Sequence, residues 1–238
     1  MVFGRGLAAS RERARALILA GQVRVDGQVV TKAGAPVHED AQVELVAPDH
    51  PYVGRGGVKL AHALDAFHID PKGRRALDVG ASTGGFTDVL LQRGAASVVA
   101  LDVGRGQLDW RLRNDPRVVV REGVNARALT AADMPHPIDV VTIDVSFISL
   151  RLIFPALGPL VSPDADIVAL VKPQFEAGRD EVGKRGVITD PKVHEAVIAR
   201  ATEDAERSGL TRVGLTPSPI TGATGNQEFF LHLKKAAR

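Results

Sequence analysis

Asp78-Val79-Gly80-Ala81-Ser82-Thr83-Gly84-Gly85 decides the fold. It follows the apolar run Arg75-Ala76-Leu77, and the next carboxylate after a second apolar run, Ser97-Val98-Val99-Ala100-Leu101, is Asp102. An α/β sheet holds an adenosine-bearing cofactor in this way. Glycines let the main chain come close to the ligand, the following helix offers free N–H groups, and an acid ending the second strand accepts bonds from ribose hydroxyls. A dinucleotide loop would read Gly-x-Gly-x-x-Gly; here Ser82 stands in place of the second glycine, which disfavours pyrophosphate.

From residue 56 onward, apolar runs alternate with helical periodicity. Strands are predicted at 76–79, 97–102, 117–121, 138–144, 166–171, 211–216 and 228–233, and helices at 57–67, 84–93, 107–113, 150–157 and 191–208. This pattern reads as a mostly parallel, doubly wound sheet. The last two strands are joined by residues 217–226 without room for a crossover helix, so they are expected to pair antiparallel.

The amino-terminal segment reads differently. Ser10 can cap a helix over 11–20, with Ala14, Leu17 and Ile18 on one face and Gly21 stopping it. Val23 and Val25, then Asp26-Gly27, then Val29 and Val30 predict a small hairpin on a type I′ turn, followed by a strand at 42–46. Residues 1–32 carry Arg5, Arg11, Arg13, Arg15, Arg24 and Lys32 against Glu12 and Asp26, a local charge of +4 in a chain whose net charge is +2. A basic end of this kind suits a polyanion. The segment resembles the αL RNA-binding module of the ribosomal protein S-four type, although only residues 1–7 precede the Ser10 cap where such modules carry a longer first helix. The reading is a module over 1–47, a linker over 48–55 around Pro48-Asp49-His50-Pro51, and a catalytic domain over 56–238.

Four charged residues fall where a sheet of this type binds ligands. Asp144 ends an apolar run before Ser146-Phe147, Lys172 ends another before Pro173, Lys59 lies on the helix preceding the first strand, and Glu228 opens the last strand. Their order, Lys-Asp-Lys-Glu, resembles the catalytic tetrad of FtsJ-type ribose 2′-O-methyltransferases. The loop at 78–85, Asp102 and the antiparallel tail are similar to those of class I methyltransferases that use S-adenosylmethionine, whose sulfonium favours a nearby carboxylate such as Asp78. With Gly56-Gly57-Val58-Lys59-Leu60, Ile143-Asp144-Val145-Ser146-Phe147-Ile148-Ser149 and Val171-Lys172-Pro173-Gln174-Phe175-Glu176, the likeness extends over the chain and resembles the TlyA, or hemolysin A, family of ribosomal RNA cytidine 2′-O-methyltransferases.

That resemblance implies S-adenosylmethionine-dependent methylation of a cytidine ribose in 16S or 23S ribosomal RNA. Lys172 would be the general base, Asp144 would orient it, and Lys59 and Glu228 would tune the charge and hold the hydroxyl. Gly80, Ser82, Gly84 and Asp102 would line the cofactor, with Asn125 near the adenine and Phe147 beside the methyl group. Arg55, Arg179, Lys184 and Arg185 would meet phosphates, and the polar segment 178–189 reads as a lid. Composition narrows the alternatives. Without cysteine there is no disulfide or thiolate metal site, no metal is expected, and no apolar run approaches the ~18 residues of a membrane helix. A cytoplasmic monomer is expected. A pore-forming hemolysin is poorly motivated, whereas an RNA-binding ribosome assembly factor that no longer methylates is the main rival.

Overall fold

Each parallel strand obliges the chain to return across a face of the sheet before the next one, so the helices between strands end up covering both faces. The computed structural model describes all residues except 9, 20, 47–49, 179–180, 182, 184–185 and 237–238. It divides into two compact units, Met1–Pro51 and Tyr52–Arg238.

In the first unit, α1 (Arg11–Leu19) is followed by β1 (Val23–Val25), β2 (Gln28–Val30) and β3 (Val43–Leu45), an antiparallel sheet in the order β2-β1-β3. Ser10 Oγ accepts the Arg13 N–H at 3.0 Å, which caps α1. Asp26 and Gly27 both take positive φ, 50° and 77°, as the predicted type I′ turn requires. Val2, Ala8, Ala14, Leu17 and Val23 form its small core.

The second unit runs α2 (Gly56–Ala66), β4 (Arg75–Val79), α3 (Gly85–Gln92), β5 (Ser97–Asp102), α4 (Trp110–Arg113), β6 (Val118–Glu122), β7 (Ile138–Ile143), α5 (Phe154–Leu157), β8 (Val161–Val171), α6 (Pro173–Glu176), α7 (Pro191–Arg207), β9 (Leu210–Pro217) and β10 (Phe229–Lys235). The seven strands lie in the order β6-β5-β4-β7-β8-β10-β9, and β10 is antiparallel to both its neighbours. Strand order therefore reverses between β4 and β7. A crevice opens there, outside the strands' carboxyl ends. One core buries Val197, Ile198 and Ala201 of α7 with Phe154 of α5 against one face of the sheet; the other buries Leu60 and Leu64 of α2 with Phe86 and Leu90 of α3 against the opposite face.

Three elements depart from their predicted bounds by more than one or two residues. The helix expected at 107–113 begins only at Trp110, because the Asp109 carboxylate accepts the Arg111 N–H and acts as its cap. The helix expected at 150–157 is broken into a 3₁₀ turn, Leu150–Leu152, and α5. β8 starts at Val161, well before residue 166: Val161 pairs with Ile138, and the register then shifts so that Asp166 pairs with Val140. The intervening bulge takes Pro163, which has no N–H to give, out of the ladder.

At the strands' opposite ends, Asp166 meets Arg74 at 2.7 Å, His232 at 2.7 Å and Lys234 at 3.1 Å. Burial works against its charge, but these hydrogen bonds hold the carboxyl well below the ordinary carboxylate range.

Phe230 of β10 is fully buried, its ring centroid 6.2 Å from that of Phe86. Phe230→Ala should lower the unfolding free energy by about 3–5 kcal/mol in urea titration; a loss under about 1 kcal/mol would mean that the helices of this face do not depend on β10.

Candidate active site at the carboxyl edge of the sheet

Gly80 turns the chain out of β4 with φ 85°, and a Cβ there would strike the main-chain carbonyl of Asp144. Only glycine lets the β4 loop and the β7 end lie this close. Gly85 does the same for the helices: a Cβ would sit 3.0 Å from the Gly57 nitrogen, so its absence lets α2 approach the loop and brings Lys59 to the rim.

Two cavities result, sharing Gly80, Ser82, Asp144, Ser146 and Phe147. The larger, about 780 Å³, is lined among others by Leu101, Asp102, Val103, Gln107, Asn125 and Arg127. Asp102 Oδ2 accepts the Ser82 N–H at 2.8 Å and Oδ1 the Gly104 N–H at 2.7 Å. Each oxygen keeps a lone pair free for a sugar hydroxyl. Asn125 Oδ1 accepts the Arg127 N–H at 3.1 Å and caps a 3₁₀ turn, so it is at once a turn residue and a wall of this cavity. Size, apolar walls and the carboxylate at the rim fit an adenosine group.

The smaller cavity, about 450 Å³, is lined by all four residues of the expected tetrad together with Arg55, Gln174 and Phe175. They form two ion pairs: Lys59 Nζ lies 2.5 Å from Glu228 Oε2, and Lys172 Nζ lies 2.5 Å from Asp144 Oδ1. Lys172 also donates to Ser146 Oγ at 2.9 Å. The Glu228 side chain is only 2% exposed, so the pair with Lys59 satisfies a charge that water barely reaches.

Phe147 occupies the mouth. It is 90% exposed and holds φ 64°, with its ring centroid 4.9 Å from that of Phe175. A bulky residue in the left-handed region is strained, and strain of this kind collects at functional sites.

Other expected site residues sit elsewhere. Asp78 does not face either cavity: it is 0% exposed and accepts hydrogen bonds from Thr87 at 2.7 Å and Thr142 at 3.0 Å. It precedes the last residue of β4, in a strand covered on both faces, so both its carboxylate oxygens are engaged inside the core. Gly84 likewise lines neither cavity; with φ 99° it heads α3 and leaves room for Leu112 and Leu108. In the first unit, Arg5, Arg11, Arg15, Arg24 and Lys32 are exposed, though the Arg5 guanidinium donates to the Ala41 and Glu39 carbonyls at 2.7 and 2.6 Å; half-buried Arg13 donates to the His50 carbonyl at 3.2 Å. Arg179, Lys184 and Arg185 lie outside the described residues, as does part of the segment read as a lid. Ser146 carries no signal of its own in the sequence, although its place two residues after Asp144 puts it on the same rim.

Burial pushes the Asp78 carboxyl up to about 7, against the pull of its two threonine hydrogen bonds and with a contribution from the neighbouring Asp144 charge. Between the ordinary carboxylate value and about 7, the folded protein therefore keeps a proton that the unfolded chain has released, and this group's contribution to stability falls as pH rises. Asp78→Asn should shrink the drop in unfolding free energy between about pH 4 and about pH 7, measured by urea titration at both. An unchanged drop would show Asp78 ionised throughout.

Comparison with known proteins places the fold in a family. Residues 52–235 match the FtsJ-like methyltransferase family and residues 2–43 the S4 domain. A Mycobacterium tuberculosis protein named 16S/23S rRNA (cytidine-2′-O)-methyltransferase TlyA is 51% identical, over 97% of this chain and 86% of its own. Hemolysin A of Brachyspira hyodysenteriae is 41% identical over 97% and 96%. A solved structure from Streptococcus thermophilus, titled as a hemolysin, superposes with a TM-score of 0.81 at 42% identity, covering 99% of this chain and 86% of that one.

Proposed function

The chain belongs to the FtsJ-like methyltransferase family, and from that premise we propose that it methylates the 2′-hydroxyl of a cytidine in 16S or 23S ribosomal RNA, with S-adenosylmethionine as donor. The observation that carries this reading is the pair of lysine–carboxylate contacts facing one cavity, which opens beside a nucleoside-sized one through shared walls at Gly80, Ser146 and Phe147.

When bound, S-adenosylmethionine supplies an electrophilic methyl group. The protein supplies placement and proton removal. Asp102 would hold the donor's ribose, with Ser82 and Asn125 in the walls of the cavity that would take the nucleoside. Lys172, aimed by Asp144 and Ser146, takes the proton of the substrate hydroxyl. Lys59 lines the same cavity. Glu228 keeps Lys59 in place, and the Lys59 ammonium donates to the oxygen of the same hydroxyl. Phe147 and Phe175 form an aromatic edge on which a nucleobase stacks. Arg55 at the mouth and the exposed Arg11, Arg15, Arg24 and Lys32 neutralise phosphates, with Arg179, Lys184 and Arg185 as further candidates from the sequence. Among the described residues no helix is long and apolar enough to cross a membrane, which gives the hemolysin name no structural counterpart of that kind.

Labelled methyl transfer to purified 30S and 50S subunits tests the reading. Wild type should transfer to at least one subunit; Lys172→Ala should fall by a factor on the order of 10² or more with S-adenosylmethionine affinity retained, and Asp102→Ala should weaken that affinity by about tenfold in calorimetry. A wild-type protein inactive on both subunits would favour the assembly factor. A fully active Lys172→Ala would remove the base.

A further inference from the structure

We propose that Glu176 is a positioning residue for methyl transfer: it ties the loop after β7 to the turn after β8 and so fixes the aromatic mouth of the cavity. The proposal rests on the methyl-transfer reading of the same site.

Two short segments shape that mouth. Residues 144–149 carry Asp144, Ser146 and Phe147; residues 172–176 carry Lys172 and Phe175. They touch in three ways. Lys172 reaches Asp144 and Ser146, the Phe147 ring meets the Phe175 ring, and Glu176 accepts from Ser149 Oγ at 2.7 Å and from the Leu150 N–H at 2.8 Å. The first two contacts use groups that the proposed reaction assigns to the substrate. Glu176 is different. It lines neither cavity, and both its oxygens are committed to the far end of the Phe147 loop.

The arrangement suits a latch. Hydrogen bonds to a carboxylate are among the stronger ones, and here they reach a hydroxyl and a main-chain N–H at the start of a 3₁₀ turn. α6 is only four residues long and starts at a proline, so it depends on side-chain anchors for its position. Phe147, in left-handed backbone, is held only if its surroundings over-determine it. Glu176 stands four residues after Lys172 and binds Ser149 and Leu150, two and three residues after Phe147, which couples base and mouth through one side chain. Arg151 and Asp204 are its charged neighbours, of opposite sign.

A double-variant cycle with a second, activity-independent measurement tests this. Glu176→Ala should lower kcat/KM for ribosomal subunits about tenfold, Phe147→Ala should lower it as well, and the double variant should be no slower than the worse single one. Glu176→Gln, which can still accept from Leu150 and donate to Ser149, should recover to within about threefold of wild type. Multiplying effects, or a glutamine variant as poor as alanine, would overturn the proposal. Hydrogen exchange in residues 145–152 should speed up in Glu176→Ala while β7 stays protected. That half stands apart from catalysis: an inactive wild type with the exchange result intact would sink the reaction assignment and leave the latch, whereas unchanged exchange would sink the latch. Should Glu176→Ala not fold, Ser149→Ala removes one of the two bonds and should show a smaller, equally non-additive loss; wild-type rate in that variant would contradict the proposal.

Discussion

A lysine withdrawn from water needs a carboxylate within reach, and at this sheet's rim that requirement is met twice in one cavity. Lys59 with Glu228 and Lys172 with Asp144 are each within 2.5 Å, and all four side chains are largely shielded. Removing one partner of such a pair leaves an uncompensated charge, which costs far more than an exposed ion pair contributes. The site is therefore stable only as a set, and its members come from a helix and three strand ends that are remote in sequence.

Topology makes the gathering possible. The strand-order reversal between β4 and β7 opens the crevice, and the carboxyl ends of β7 and β8 place Asp144 and Lys172 next to one another across a parallel ladder. Antiparallel β10, lying against β8, starts where β8 ends, so Glu228 arrives at the same edge from the opposite direction. Gly80 and Gly85 remove the side chains that would otherwise hold the loop, the β7 end and α2 apart.

Much of this is legible in the amino-acid string, and the exceptions share a cause. Asp102 and Asp78 look alike as acids closing apolar runs, yet Asp102 is the last residue of β5 and reaches the cavity, while Asp78 is followed by one more residue of β4 and turns into the core. One position along a strand separates a cavity-lining carboxylate from a buried hydrogen-bond acceptor. The sign pattern of the tetrad is readable because every member sits at or beside an element's end. Its division into two separate pairs is not, since pairing depends on how far α2 leans over the rim. Glu176 was visible in Lys172-Pro173-Gln174-Phe175-Glu176, but nothing in that string says that its carboxylate crosses to Ser149. Arg5 shows the reverse case, a cation in a basic segment whose guanidinium is taken by its own chain's carbonyls.

Removal of a proton from a sugar hydroxyl is the step proposed for this rim. Digestion of ribosomal RNA treated with the protein to single nucleosides, followed by mass spectrometry, addresses it directly. The expected product is 2′-O-methylcytidine, with the added mass on the ribose fragment. Added mass on the base fragment would contradict the claim, because base methylation does not call for deprotonation of a sugar alcohol.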